Sequence, residues 1–476
     1  MATFANKTMQ NLFDNTICAP ATSRGGAIAV VRVSGMHAIE YVDRLFKGSA
    51  PLASAPGYSM HYGTIHEEDG SLLDEVVVSV FRAPHSYTGE NGAEIACHGS
   101  EYIVSRILSL LLENGAKMAA PGEFTQRAFL HGKMDLSQAE AVADLIAAQT
   151  AAAHRIALKQ LKGGFSEELA GMRAELLHLA SLMELELDFS EEEVEFADRS
   201  QLRTLVEKVL AHCEKLIESF RLGNAIKNGV PVAIVGNTNA GKSTLLNALL
   251  GENRAIVSDI PGTTRDTVEE TFNLDGVLFR FIDTAGLRES DDTIERIGIE
   301  RAYDKLCAAQ LVLAMLDLTA PLTELMASAQ DIANRTTENQ QLIFLLNKAD
   351  AVPVTVSTET RRALSPLLSG PNRNSFIISA REKVGLEDLR HALTASWHKL
   401  DTAAETTLVA NIRHLEALQN AAAALARLRD GLSASIPTDL AAQDLREALY
   451  HLGSIVGQVS DNEILRNIFE HFCIGK

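Results

Sequence analysis

The sequence predicts a multidomain chain of mixed α/β and α class: an α+β segment, then long helices, then a doubly wound α/β domain, then helices again. Three observations carry this. Residues from about 10 to 125 alternate short β-branched runs with Gly, Pro and Ser punctuation. Two blocks, about 135–222 and 404–476, are rich in Ala, Leu and Glu, with apolar residues recurring at helical spacing. Between them, residues from about 225 to 400 alternate apolar strand-like runs with helical stretches, the rhythm of a parallel sheet with helices on both faces.

In the first segment "AIAVVRVSG" (27–35) and "DEVVVSVFRAP" (74–84) read as strands, and "EYIVSRILSLLLENG" (101–115) as an amphipathic helix closed by a glycine. Neither helical block readily buries its apolar stripes alone, so the two are read as one discontinuous helical domain. The stretch between them is then an insertion whose ends lie close together. Its strands are "VPVAIVG" (230–236), "FRFIDTAG" (279–286), "LVLAMLD" (311–317), "QLIFLLNKAD" (341–350) and "NSFIISA" (374–380). The predicted domains are 1–130, 131–224 with 401–476, and 225–400.

Composition bounds the function. A length of 476 residues suits about three domains, and 46% hydrophobic with 22% charged residues excludes wholesale disorder. The net charge of -19, from 43 Lys+Arg and 62 Asp+Glu, does not suggest a nucleic-acid-binding chain, so RNA contact needs a local basic surface or a partner. Cys18, Cys97, Cys213, Cys307 and Cys473 are scattered and odd in number, which fits a reducing cytoplasm rather than disulfides or zinc. No signal peptide is read at the start, and no apolar run approaches the ~20 residues of a membrane span. The acidic run "DFSEEEVEF" (188–196) is read as a solvated loop or helix start without chemistry.

"GNTNAGKST" follows a strand and opens the helix "KSTLLNALLG", the context that a P-loop requires. Asn239, Ala240, Gly241, Lys242, Ser243 and Thr244 then cradle phosphates, with Lys242 reaching the β/γ oxygens and Ser243 offering its hydroxyl to Mg²⁺. Downstream, "NKAD" (Asn347, Lys348, Ala349, Asp350) ends a strand. A carboxylate at Asp350 accepts from the N1–H and exocyclic amine of guanine; adenine lacks the N1 donor and leaves it unpaired, at a cost of about 1–3 kcal/mol. "SAR" (Ser379, Ala380, Arg381) fills the third base-contacting position, Arg381 replacing the usual Lys, so the Ala380 N–H is expected to matter more than the side chain. The order P-loop, "DTAG", "NKAD" therefore predicts a GTP-binding, Ras-like G domain.

"SDIPGTTRD" supplies Ser258, Asp259, Ile260, Pro261, Gly262, Thr263 and Thr264, with Thr264 placed to close on Mg²⁺ and the γ-phosphate. "DTAG" supplies Asp283, Thr284, Ala285 and Gly286, whose N–H is available to that phosphate. The next residue is Leu287, where Ras-like enzymes use a glutamine to orient water. Leucine cannot do this. Hydrolysis is either slow or aimed by another group, and Glu289, Asp291, Asp292 and Glu295 are the acids nearby.

Together these motifs resemble the bacterial tRNA-modification GTPase family MnmE (TrmE). The likeness runs nearly end to end, through "RGGAIAVVRVSG" (24–35), "SYTGENGAEIACHG" (86–99), "APGEFTQRAFLHGKMDLSQAEAV" (120–142), "DTAGLRESDDTIERIGIERA" and "FCIGK". The resemblance implies a GTPase that works with the flavoprotein MnmG (GidA), in a heterotetramer. Together they place an aminomethyl or carboxymethylaminomethyl group on C5 of the wobble uridine of certain tRNAs, using a 5-formyl- or methylene-tetrahydrofolate one-carbon unit. It implies a homodimer made by the first domain, and K⁺ held by Asn239 and the carbonyls of Ser258, Ile260 and Thr263, in the role an arginine finger plays elsewhere. Among the four acids it singles out Glu295 as the water-orienting group. Pro261 stands where many relatives carry alanine and stiffens that loop.

The implied folate residues are Arg32, Glu94, Lys133 and Lys476, of which Arg32 and Glu94 on residue type alone read as edge-strand charges. "CIGK" fails as a prenylation box, since glycine is not aliphatic, and Cys473 lacks partner cysteines for a metal. The resemblance makes Cys473 a nucleophile or base on a mobile arm, against a tail that merely caps the helices. The rival reading of the whole chain is a regulatory GTPase switch that gates RNA or ribosome-assembly binding without tRNA chemistry.

If Asp350 selects guanine, Asp350→Asn weakens GTP binding about tenfold or more, one lost charge-assisted pair. Nucleotide titration checks this, and unchanged GTP affinity removes the assignment.

Overall fold

The computed structural model describes residues 15–23, 25–188, 199–250, 270–282, 306, 309–337, 340–368, 370, 372–395, 397, 407–434, 437–459, 465, 468, 469, 472 and 475. They divide into two compact units. One comprises Met1–Ala143, Gln160–Ala174 and Leu449–Lys476; the other comprises Asp144–Lys159 and Glu175–Ala448.

The first unit is built on β1 (Ile17–Pro20), β2 (Ile28–Ser34), β3 (Phe46–Gly48), β4 (Ser59–His66), β5 (Leu72–Phe81), β6 (Gly92–His98) and β7 (Lys117–Met118). They form one sheet in the order β3-β4-β5-β6-β2-β1-β7, antiparallel except for the β1–β7 pair. Alternation sets its two faces. Val76, Val78 and Val80 are buried while the residues between them are half-buried, the period of a sheet with one covered face. That face packs on α1 (Ala38–Leu45) and α2 (Glu101–Glu113) through Ala38, Val42, Ile107, Leu110 and Leu111. The predicted helix at 101–115 thus ends at Glu113, with Gly115 at φ +102° just beyond. The other face carries Arg32 directly opposite Glu94 in the β2–β6 register. A third helix, α3 (Glu123–Leu130), places Phe124 against Ile17 and Ala19 of β1.

Among the described residues the next helices in chain order are α4 (Leu136–Ala147), α5 (Ala151–Leu161), α6 (Gly164–Asp188), α7 (Arg199–Asn228), α8 (Lys242–Leu250) and α9 (Leu322–Arg335). Four more are α10 (Val354–Leu368), α11 (Leu386–Ala395), α12 (Ile412–Ser433) and α13 (Thr438–Val456). The second sheet consists of β8 (Val230–Gly236), β9 (Glu270–Leu274), β10 (Val277–Phe281), β11 (Leu311–Asp317), β12 (Gln341–Asn347) and β13 (Arg373–Ile377). Its order is β13-β12-β11-β8-β10-β9, parallel throughout apart from the antiparallel edge strand β9. Every residue from Leu311 to Leu316 is buried, because helices cover both faces. Leu245, Leu249, Leu389 and Leu393 of α8 and α11 fill one side; Leu325, Ala329, Leu364 and Leu368 of α9 and α10 fill the other. The sheet is doubly wound, with β8 between β10 and β11, so the loop leaving β8 opens where the strand order reverses.

On the same side as α8, Phe272 of β9 stacks on Phe279 and Phe281 of β10 with ring centroids 5.1 Å apart in both pairs. Ala152 and Ile156 of α5 join this cluster, and so does Trp397, the sole tryptophan of the sequence. The described residues include no helix long and apolar enough to cross a membrane.

Phe279 is 0% exposed. Phe279→Ala is expected to destabilise this unit by about 3–5 kcal/mol. Urea unfolding followed by Trp397 fluorescence reads the loss as a lowered midpoint; an unshifted midpoint contradicts the packing described.

Candidate functional site

β8 delivers the chain to Gly236, and α8 begins at Lys242, so Asn237–Gly241 form the turn between strand and helix. This turn demands unusual backbone. Asn239 has φ +62° and Gly241 φ +98°. A Cβ on Gly241 would run into Nδ2 of Asn347, so only glycine lets the turn approach the end of β12. Lys242 folds back and donates to the carbonyls of Gly236, at 2.8 Å, and Asn237, at 2.9 Å. Burial holds its ammonium below the ordinary lysine value of 10.5. Ser243 and Thr244 lie exposed at the first turn of α8, the end of a helix that favours an anion.

Asn347, 3% exposed, joins this turn to the base-side loops. Its Nδ2 donates to the Ala240 carbonyl at 2.8 Å and its Oδ1 accepts from the Ala380 N–H at 3.0 Å. The Ala380 N–H expected to face a base is thus already engaged, and a guanine carbonyl would share it. Lys348, at φ +64°, pairs with Asp317 at the end of β11, 2.7 Å away. Ala349 and Asp350 occupy a short 3₁₀ turn. The Ser379 hydroxyl donates to Asp350 at 2.5 Å and, with smaller help from Arg381 and Lys348, holds that carboxyl below its usual range. Asp350 is therefore ionised, as acceptance of two donors from a base requires. The Arg381 side chain is 82% exposed, and its only described ion pair is a loose 3.6 Å contact with Glu382.

In the first unit, Arg32 donates from Nε to Glu94 at 2.9 Å and from Nη1 to the Gly475 carbonyl at 3.3 Å. Its guanidinium lies between two rings, 5.4 Å from the centroid of Tyr87 and 5.7 Å from that of Phe124. Gly475, at φ +95°, is pressed so closely on Pro20 that a Cβ there would strike its carbonyl oxygen. Phe469 and Phe472 anchor the same tail among Leu136, Ala139 and Leu465. Lys133 donates to the Pro84 carbonyl at 3.1 Å. Ser258, Asp259, Ile260, Pro261, Gly262, Thr263, Thr264, Asp283, Thr284, Ala285, Gly286, Glu295, Cys473 and Lys476 lie outside the described residues.

Comparison with known proteins adds the family. The family described as the MnmE helical domain matches residues 136–473, and the one described as the GTP-binding protein TrmE N-terminus matches residues 16–133. The chain is 51% identical to the tRNA modification GTPase MnmE of Bacteroides fragilis (strain YCH46), covering 97% of this chain and 99% of that protein. It is likewise 51% identical to the protein of that name from Parabacteroides distasonis, covering 97% and 100%, and 47% identical to that from Flavobacterium johnsoniae, covering 97% and 99%. The chain belongs to the MnmE family of tRNA modification GTPases.

Three residues that frame these candidate positions escape a reading of the sequence alone. Asp317 fixes Lys348; its signal was a lone carboxylate closing the apolar run "LVLAMLD". Tyr87 covers Arg32 from a loop whose sequence, "HSYTGEN", gives no hint of a cation beneath it. Arg127 is 1% exposed and paired with Glu90 and Glu123; the acid four residues before it on α3 was the available cue.

Bound triphosphate favours the charged Lys242, whereas burial in the free protein disfavours it. GTP affinity is therefore expected to fall with rising pH once the lowered free value is passed, below 10.5. Over the same interval the nucleotide-free fold gains stability, because the unfolded chain binds the extra proton. Titrations across alkaline pH check the first trend and thermal melts the second; flat profiles contradict both.

Proposed function

We propose that this chain is a potassium-dependent GTPase that acts with a flavoprotein of the MnmG (GidA) kind. Together they modify C5 of the wobble uridine of certain tRNAs with an aminomethyl or carboxymethylaminomethyl group drawn from a tetrahydrofolate one-carbon unit. The observation that carries the reading is the double hydrogen bond of Asn347, which brings the phosphate-side turn and the base-side loops into one cradle around an ionised Asp350. Residues 225–400 are the G domain, 1–130 the folate-binding and homodimer-forming domain, and 131–224 with 401–476 the helical domain.

Asn239, Ala240, Gly241, Lys242, Ser243 and Thr244 hold the phosphates, helped by Ser258, Asp259, Ile260, Pro261, Gly262, Thr263 and Thr264 and by Asp283, Thr284, Ala285 and Gly286. Asn347, Lys348, Ala349, Asp350, Ser379, Ala380 and Arg381 hold the base. The close approach at Gly241, which no Cβ could allow, fits a cradle made of backbone N–H groups. Ser243 and Thr264 would hold Mg²⁺; Asn239 with Ser258, Ile260 and Thr263 would hold K⁺. Both cations supply positive charge to the phosphates in the transition state. Glu295 orients the attacking water in place of the glutamine that Leu287 replaces.

Arg32, Glu94, Lys133 and Lys476 form the folate site. The carboxylate of Glu94 faces the donor edge of the pterin, and the cations face the acids of the tail. The Gly475 carbonyl on Arg32 supports this, since it brings that residue of the C-terminal stretch onto the Arg32–Glu94 pair. Cys473 is the nucleophile or base at the folate-bound fragment. The chain works in the cytoplasm.

Two measurements test the proposal. K⁺ is expected to accelerate GTP hydrolysis where Na⁺ does not. Mass spectrometry of wobble nucleosides from a deletion strain is expected to show unmodified C5; normal modification there supports the regulatory-switch reading instead.

A further inference from the structure

Among the described residues no larger side chain is buried as completely as that of Arg127, 1% exposed on α3. It donates to Glu123 from Nη2 at 2.7 Å, to the Asn15 carbonyl from Nη1 at 2.9 Å and to Glu90 from Nη1 at 3.1 Å. Glu90 belongs to the loop between β5 and β6, and its other oxygen accepts from the Ser34 hydroxyl at 2.7 Å. Ser34 in turn bonds the Thr88 hydroxyl of the same loop at 2.7 Å. A buried guanidinium thus stitches this loop to the end of β2, two residues from Arg32.

The loop touches two of the described members of the folate site, Arg32 and Lys133, and leads into the strand that bears the third. Its Tyr87 ring lies over Arg32, with the phenol bonded to Thr125 of α3 at 2.9 Å. Its Pro84 carbonyl accepts from Lys133, and it runs directly into β6, which bears Glu94. Glu90 and Glu123 are only 14% and 12% exposed, so without Arg127 two carboxylates would stand in a poorly solvated place without a cation, keeping only their bonds from Ser34 and the Ala120 N–H. The loop would relieve this by moving outward and taking Tyr87 off Arg32.

We infer that Arg127 is a positioning residue of the folate site: it touches no ligand, but by holding Glu90 it keeps the 82–91 loop, and Tyr87 with it, closed on Arg32. The inference rests on the folate reading above. Calorimetric titration of the full chain with 5-formyl-tetrahydrofolate tests it. Arg127→Lys is expected to bind about tenfold more weakly, because loop side chains must be reordered on binding. In a Tyr87→Ala background the same change is expected to add nothing, since the ring it positions is gone. Should Arg127→Lys fail to fold by circular dichroism, Glu90→Gln breaks the same pair from the other side and is read identically. Unchanged affinity in the single variant, or a loss that repeats in full on top of Tyr87→Ala, overturns the inference. A wild-type chain that binds no 5-formyl-tetrahydrofolate overturns instead the folate reading beneath it.

Discussion

The amide of Asn347 holds the candidate nucleotide cradle together. Its donor and acceptor are both used on backbone groups of other segments, the Ala240 carbonyl and the Ala380 N–H, in a place with almost no solvent. Leaving either group unmade there would cost on the order of 1–3 kcal/mol, so the two loops are fixed relative to the end of β12. A side-chain amide fits where aspartate and apolar residues do not: aspartate offers no donor for Ala240, and a hydrophobic residue satisfies neither partner. The glycine at 241 is a corollary, since the turn must come close enough for the Asn347 amide to reach it.

Charge in the first unit is arranged by the same economy of partners. Arg32 is flanked by two aromatic faces, one carboxylate and one carbonyl, and Arg127 by two carboxylates and a carbonyl. In each case a guanidinium fills a position where a flexible ammonium would reach fewer acceptors. The two sites sit on opposite ends of one short path, through Ser34, Glu90 and Tyr87, and this explains why the 82–91 loop can be held in one shape.

The doubly wound sheet was largely legible. Strands β8, β11 and β12 are covered on both faces, so they appear as unbroken apolar runs, and the P-loop signature marks the turn after the first of them. Strand β9 was not read. "ETFNL" has no such run, because it lies at an edge, and its only cue was the Asp275–Gly276 turn, with φ +49° and +84°. In the first unit β2 and β5 stood out by β-branched content, while β4, with Met60 and Tyr62 exposed, has no clean alternation to find. Arg32 and Glu94 meet through strand register, a long-range property that residue type does not encode, and only the family resemblance pointed to them. The burial of Arg127 was illegible for a similar reason: besides Glu123 on its own helix, its partners Asn15 and Glu90 come from two segments distant in sequence.

The bond from Asn347 to Ala240 has one more implication. On the proposed reading, the loops that it joins address the base and the phosphate chain, and of their residues Lys242 alone reaches the outermost phosphoryl group. Most of the grip on substrate and product would then come from the same handles, and discrimination between a loaded and a spent nucleotide would rest on Lys242 and on residues outside the cradle.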